Sequence, residues 1–172
     1  MAVDSAQATS AKERTSLLER VLAYQNPAVV HRYTTKLGLT HDESELLFED
    51  TKKFLYLCGS KRKGDAPLAP PAKVDAGWHE FLLFTEDYQI FCQSFFGRFI
   101  HHRPRRPEDP KGDGHDFDLT IQLAVATFVD LSSNWDVKRQ DMADCVKCDG
   151  GGCNEPECHG DDPVTGPDST LN

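Results

Sequence analysis

The stretch from Val74 to Pro104 constrains the fold most, because it sets large aromatic rings at helical spacing. Counting Phe117 just beyond it, seven of the ten Phe residues fall here, together with Trp78, Cys92 and three of the seven His. Val74, Trp78, Phe81 and Leu82 form one stripe, and Tyr88, Phe91, Cys92, Phe95 and Phe96 form a second. Rings of this size fold by leaving water, and each fully buried one contributes on the order of 1.5–3 kcal/mol. An apolar stripe on a helix has to find other helices to pack against. Thr85-Glu86-Asp87 makes a favourable first turn for a helix dipole and offers a restart of the helix there, and Gly97 ends it or permits close packing.

The flanking sequence continues the pattern. Thr9 or Ser10 caps a helix to about Gln25 that shows Leu17, Leu18, Val21 and Leu22 on one face. Asn26-Pro27 breaks it, and a second helix from Ala28 to Leu37 stops at Gly38, a left-handed C-cap. Thr40 with Glu43 is a capping box for a third, amphipathic helix to about Cys58. Gly59 to Lys73 reads as a loop, with a basic triplet at residues 61–63 that solvent satisfies. After the central stretch, Phe99 to Gly114 is irregular, a helix spans about Asp116 to Ser132, and Asp136 to Asp144 offers a further short helix. The expected fold is all-α, a bundle of five or six helices with an irregular, acidic, Cys-rich tail. The expected organisation is a disordered N-terminus at residues 1–8, a helical domain at 9–140, a Cys-rich segment at 141–162 and a disordered tail at 163–172.

Charge excludes some partners. The net charge is −9, and from Gln140 onward eight acidic residues stand against one Lys. Such a tail repels phosphates, so nucleic acid is disfavoured as a partner. No apolar run reaches the roughly 18 residues of a membrane span, and the first 30 residues lack the pattern of a secretory signal. The expectation is a cytoplasmic protein without a membrane partner; a protein partner stays open.

Two clusters carry metal chemistry. Asp75 and His79 are four apart, hence on one face of a helix, and a chain reversal brings His101 or His102 back beside them. Two imidazoles and one carboxylate suit Zn or Fe(II) and leave a coordination position open. Neighbouring His residues do not both reach one ion, so one of the pair is expected to ligate. The plainer reading is a helix-start Asp–His hydrogen bond and a structural His corner before Pro104. The second cluster is Cys145-x2-Cys148-x4-Cys153-x4-Cys158, followed by His159. Four thiolates this close can enclose a tetrahedral Zn, with His159 an alternative donor, and the plainer reading is a reduced Cys-rich tail. Cys58 and Cys92 stand alone and read as small apolar core residues.

The quoted residues also carry a resemblance. Val74-Asp75, Trp78-His79, Leu82, Thr85, Tyr88, Phe91-Cys92, Phe96-Gly97 and Ile100-His101-His102-Pro104 resemble the core of the glycine-rich domain-containing proteins. The likeness covers Thr40 to Pro104, with a looser echo at Trp135 and Asp144-Cys145. The Gly- and Cys-rich tails of bacterial members are similar to the segment DCVKCDGGGCNEPECH, which has no regular repeat. The resemblance implies an all-helical fold and specifies no reaction.

Two functions follow from these readings. One is a small metal-binding helical protein with a His/Asp site in its core and an unknown reaction, so that enzyme or non-enzyme is left open. The other is a non-catalytic interaction module with a structural zinc knuckle in its tail.

Overall fold

A computed structural model describes residues 17–104, 114–136 and the backbone of 145–147. Helix α1 covers residues 17–22 of the described chain. Then come α2 (Pro27–Leu37), α3 (His41–Ser60), α4 (Ala72–Leu82), α5 (Thr85–Phe96) and α6 (His115–Thr127). A single 3-10 turn, η1, covers Ser133–Trp135. Arg103–Pro104 (β1) and Cys145–Lys147 (β2) form a minimal antiparallel ladder. The fold is all-α, as expected. Residues 1–16 and 148–172 lie outside the described residues, and so do the expected disordered ends and the start of the first helix.

The helix boundaries follow from local chemistry. Asn26 caps α2 through its Oδ1, which accepts from the Val29 N–H at 3.2 Å, and Pro27 sits where a missing N–H is harmless. Gly38 closes α2 with φ of 69°. Thr40 and Glu43 form the full capping box of α3: the Thr40 hydroxyl accepts from Glu43 N–H, and the Glu43 carboxylate accepts from Thr40 N–H at 2.8 Å. Gly97, with φ of 66°, ends α5.

Helix α3 is the axis of the bundle. Its sequence reads as amphipathic, yet every residue from Asp50 to Cys58 is buried, so other elements enclose it on all sides. Lys52 and Lys53 are buried with their ammonium groups at backbone carbonyls. Lys52 Nζ donates to the Leu22 and Tyr24 carbonyls at the end of α1, and Lys53 Nζ donates to Asp130 O and pairs with Glu49. Burial pushes the Lys52 ammonium down to about 8, which leaves it charged at neutral pH.

Asp50, fully buried, holds the far end of the described chain. Its carboxylate accepts from Ser132 Oγ, from Asn134 Nδ2 at 2.9 Å and from Trp135 Nε1 at 2.8 Å. This latch explains one departure from expectation. Helix α6 stops at Thr127 instead of Ser132, because residues 128–132 run extended to bring η1 onto Asp50. Asp136, where a further helix was expected to begin, is extended, and residues 137–144 lie outside the described part.

Helix α4 packs on α3 and α2. Gly77 permits the approach: a Cβ there would stand 2.7 Å from Thr51 Oγ1 and 3.2 Å from the Tyr33 hydroxyl. Tyr33 OH fills the space and donates to the Gly77 carbonyl at 2.7 Å. The aromatic stripes close the core, with Phe48–Phe81 and Phe81–Tyr88 in edge-to-face contact at 5.3 and 5.1 Å between centroids.

Two substitutions test this architecture. Gly77→Ala adds a good helix former, worth about 1 kcal/mol in an open helix. Here the crowding of Thr51 and Tyr33 outweighs that gain, and urea unfolding shows a net loss of roughly 1–2 kcal/mol; an unchanged or raised midpoint contradicts the close approach. Asp50→Ala strands three donors, lowers stability by about 3 kcal/mol or more and shifts tryptophan emission to the red as Trp135 is released. Emission that stays at the wild-type wavelength in the folded variant refutes the latch.

Candidate metal centre

The first turn of α4 supplies Asp75, and one turn later the same helix supplies His79. Asp75 is buried near a helix N-terminus, where the dipole favours its negative charge. A buried carboxylate needs partners. The chain after α5 provides one: His102 Nε2 lies 3.0 Å from Asp75 Oδ1. His79 Nδ1 lies 3.5 Å from the other oxygen, Oδ2. The two imidazole rings stand 4.2 Å apart between centroids.

One ligand atom from each of Asp75, His79 and His102 falls within 4.8 Å of the other two. Donors on a tetrahedral ion, each about 2.0–2.2 Å from the metal, stand roughly 3.3–3.6 Å from one another. The three atoms here, up to 4.8 Å apart, form a looser set than that, and the three residues could hold a metal ion by closing in on it. The Asp75 and His102 side chains are 7% and 6% exposed while that of His79 is 50% exposed, so the cluster opens to solvent on the His79 side. Two buried donors and one half-exposed donor leave room for water or a further ligand.

Two supports bring His102 to this point. Trp78, fully buried, sets its ring 4.5 Å from that of His102. Its Nε1 donates to the Tyr88 hydroxyl at 3.0 Å, and that hydroxyl donates to the Ile100 carbonyl at 2.6 Å. This relay ties α4, α5 and the irregular segment leading to His102 together. Tyr88 serves the site at a distance, through Ile100 and Trp78. The sequence signal for it is a hydroxyl in a stripe where Phe would pack as well, since a buried phenol needs partners.

The expected ligands divide as follows. Asp75, His79 and His102 come together. His101 points elsewhere, its ring against Phe99 at 4.8 Å, so one residue of the His pair joins the cluster. Cys148, Cys153, Cys158 and His159 lie outside the described residues, and of Cys145 only the backbone is described. Cys58 and Cys92 are free and buried, and burial pushes the Cys92 thiol up, away from reactivity. No helix among the described residues is long and apolar enough to cross a membrane.

Fold and site together define a helical domain that gathers two imidazoles and a carboxylate at one edge of its core. The chain belongs to the UCP032817-like family, whose model matches residues 16–113, a span that includes the whole cluster. No curated protein and no solved structure matches it. This family assignment overturns the resemblance to the glycine-rich domain-containing proteins. Several of the residues that carried that likeness, Val74, Trp78, Tyr88, Phe91, Cys92 and Ile100, are buried core. A helical core built on aromatic rings repeats such a pattern without sharing a family.

Tyr88 provides a test that links the relay to pH. Burial raises its pKa, so the folded protein keeps the phenolic proton while the unfolded chain releases it near pH 10. The stability this group contributes is complete below about pH 10 and falls as pH rises further, because the folded state then binds more protons than the unfolded one. Tyr88→Phe lowers stability at pH 7 by roughly 1–3 kcal/mol, since Trp78 Nε1 and Ile100 O lose their partner. The same variant shows a shallower alkaline decline in urea midpoints above pH 10. An equally steep decline in the variant contradicts the assignment.

Proposed function

We propose that this protein binds a transition-metal ion between Asp75, His79 and His102. The observation that carries the reading is the convergence of three ligand atoms within 4.8 Å, two of them on buried side chains. Two neutral imidazoles favour Zn or Fe(II) over Mg or Ca, which prefer all-oxygen surroundings. The carboxylate offsets part of the ion's charge at the dipole-favoured end of α4. An ion held by three protein donors keeps an exchangeable position on the solvent side, where it lowers the pKa of bound water or accepts a small polar ligand.

The fold prepares the site in advance. Asp75 and His79 share one helix, and the Trp78–Tyr88–Ile100 relay sets the third donor. Loading exchanges the Asp75–His102 hydrogen bond for coordination bonds and needs no rearrangement of helices.

Zinc content after equilibrium dialysis tests this. Wild type retains one ion more per chain than His79→Ala/His102→Ala, and Asp75→Asn binds at least about 100-fold more weakly by competition with a chromogenic chelator, about 2.7 kcal/mol. Saturating zinc raises the melting temperature of wild type and leaves that of the double variant unchanged. Equal zinc content in the wild type and the double variant refutes the site.

A further inference from the structure

The basic turn that follows α3 takes no part in the Asp75–His79–His102 cluster, yet its backbone is held in a fixed shape. The Arg62 N–H donates to Asp65 Oδ2 at 2.7 Å, and the Asp65 N–H donates back to the Arg62 carbonyl at 3.1 Å. Gly64, with φ of 95°, lets the chain turn between them. Arg98 Nη2 secures the base of the turn, donating to the Cys58 carbonyl at 2.9 Å and to those of Gly59 and Lys61 at 3.3 Å. The carbonyl end of a helix carries partial negative charge, and the Arg98 guanidinium offsets it here. The turn is thus closed by backbone groups and Asp65, and it leaves the Arg62 side chain exposed.

This turn forms one wall of a cleft of about 590 Å³. Clefts that take small organic molecules measure about 300–1,000 Å³. Leu18 of α1, Leu57 of α3, and Leu123 and Ala126 of α6 give it an apolar lining. Lys61 and Arg62 add positive charge, and Tyr56, Ser60 and Thr127 add hydroxyl groups. Asp65 also lines the cleft, so two cations face one carboxylate and the lining is net positive. Tyr56 and Leu57 are 5% and 6% exposed and belong to the rigid core, while Leu123, 37% exposed, stays open to solvent. Apolar lining beside a positive edge is complementary to a molecule with an apolar body and one anionic head.

We propose that this cleft binds a small amphipathic anion, an acyl chain or ring that bears one carboxylate or phosphate. The head pairs with Arg62 and Lys61, and the body lies against Leu57 and Leu123. Arg62 sets the specificity, because a planar guanidinium can engage two oxygens of either head and a neutral alcohol offers only one. Binding is by ion pairing and apolar burial, and no covalent bond is made. The cleft shares no residue with Asp75, His79 and His102, so this inference stands apart from the metal reading.

Isothermal titration calorimetry of the full-length protein tests the proposal with octanoate and octyl phosphate. Octan-1-ol supplies the same body without charge, and acetate supplies a head without the body. At least one of the two octyl anions is expected to saturate at one per chain, and the tighter of them identifies the head. Octan-1-ol and acetate bind at least about ten-fold more weakly than that anion. Arg62→Gln, an exposed side chain whose backbone holds the turn, weakens the anion at least about ten-fold and leaves octan-1-ol unchanged. Leu123→Asp weakens the anion and the alcohol together. Lys63→Gln removes a charge from the same turn but outside the lining, and keeps wild-type affinity. The proposal is overturned by the absence of saturable one-to-one binding of either anion, or by an alcohol that binds as tightly as the anions. It is equally overturned if Arg62→Gln keeps wild-type affinity or if Lys63→Gln loses as much as Arg62→Gln.

Discussion

The structure depends on a polar burden carried by its central helix. Helix α3 is enclosed from Asp50 to Cys58, and that run includes Asp50, Thr51, Lys52 and Lys53. An uncompensated charge in such a place is strongly destabilising, so each polar group dictates where another part of the chain must go. Lys52 requires the carbonyls at the end of α1, Lys53 requires Asp130, and Asp50 requires the Ser132–Trp135 turn. Apolar packing supplies most of the driving force for collapse, and these few polar contacts select one arrangement. They act as docking instructions at three points around one helix.

Helix α4 is set by the remaining face of α3, and the site inherits its position from there. Thr51 sends its hydroxyl to Leu47 O, Gly77 lies over it, and Tyr33 seals the gap with a hydrogen bond to the Gly77 carbonyl. Asp75 and His79 sit two residues to either side of Gly77, so a close approach of α4 to α3 lies at the centre of the pair. The η1 turn packs on the same helix after being fixed by Asp50. The buried charge of α3 and the candidate ligands of α4 are therefore coupled mechanically, without any direct contact between them.

Much of this was legible in the sequence where the controlling physics is local. The Thr40–Glu43 box, the break at Asn26-Pro27 and the glycine stops at Gly38 and Gly97 depend on residues a few positions apart, and each lies where its chemistry requires. The i,i+4 pair Asp75 and His79 was readable for the same reason. What periodicity could not supply was the partner of each polar group. Lys52 and Lys53 look like a solvated face until the α1 carbonyls and Asp130, distant in sequence, are folded against them. The end of α6 was misplaced by five residues because the latch to Asp50 spans more than 80 residues of chain. The choice of His102 over His101 depends on the relay from Tyr88 to Ile100, which no spacing rule encodes. The family likeness failed on related grounds, since it rested on core rings whose repetition reflects packing.

The cluster's design bears on what it can hold. Asp75 shares a hydrogen bond with His102 at 3.0 Å and lies 3.5 Å from the His79 ring nitrogen, so the buried carboxylate already has partners within the cluster. A flexible site would have to order its donors on binding, at roughly 0.5–1.5 kcal/mol for each immobilised side chain. Here two donors are already buried and the third shares a helix with the first, so little of that ordering remains. The Asp75–His102 hydrogen bond would compete with an ion, because an imidazole nitrogen that donates a proton to Asp75 must give it up or turn before it can ligate. A cation entering the cluster would have to displace this internal pairing. Preorganisation and internal pairing thus pull in opposite directions on any ion that the three residues could hold.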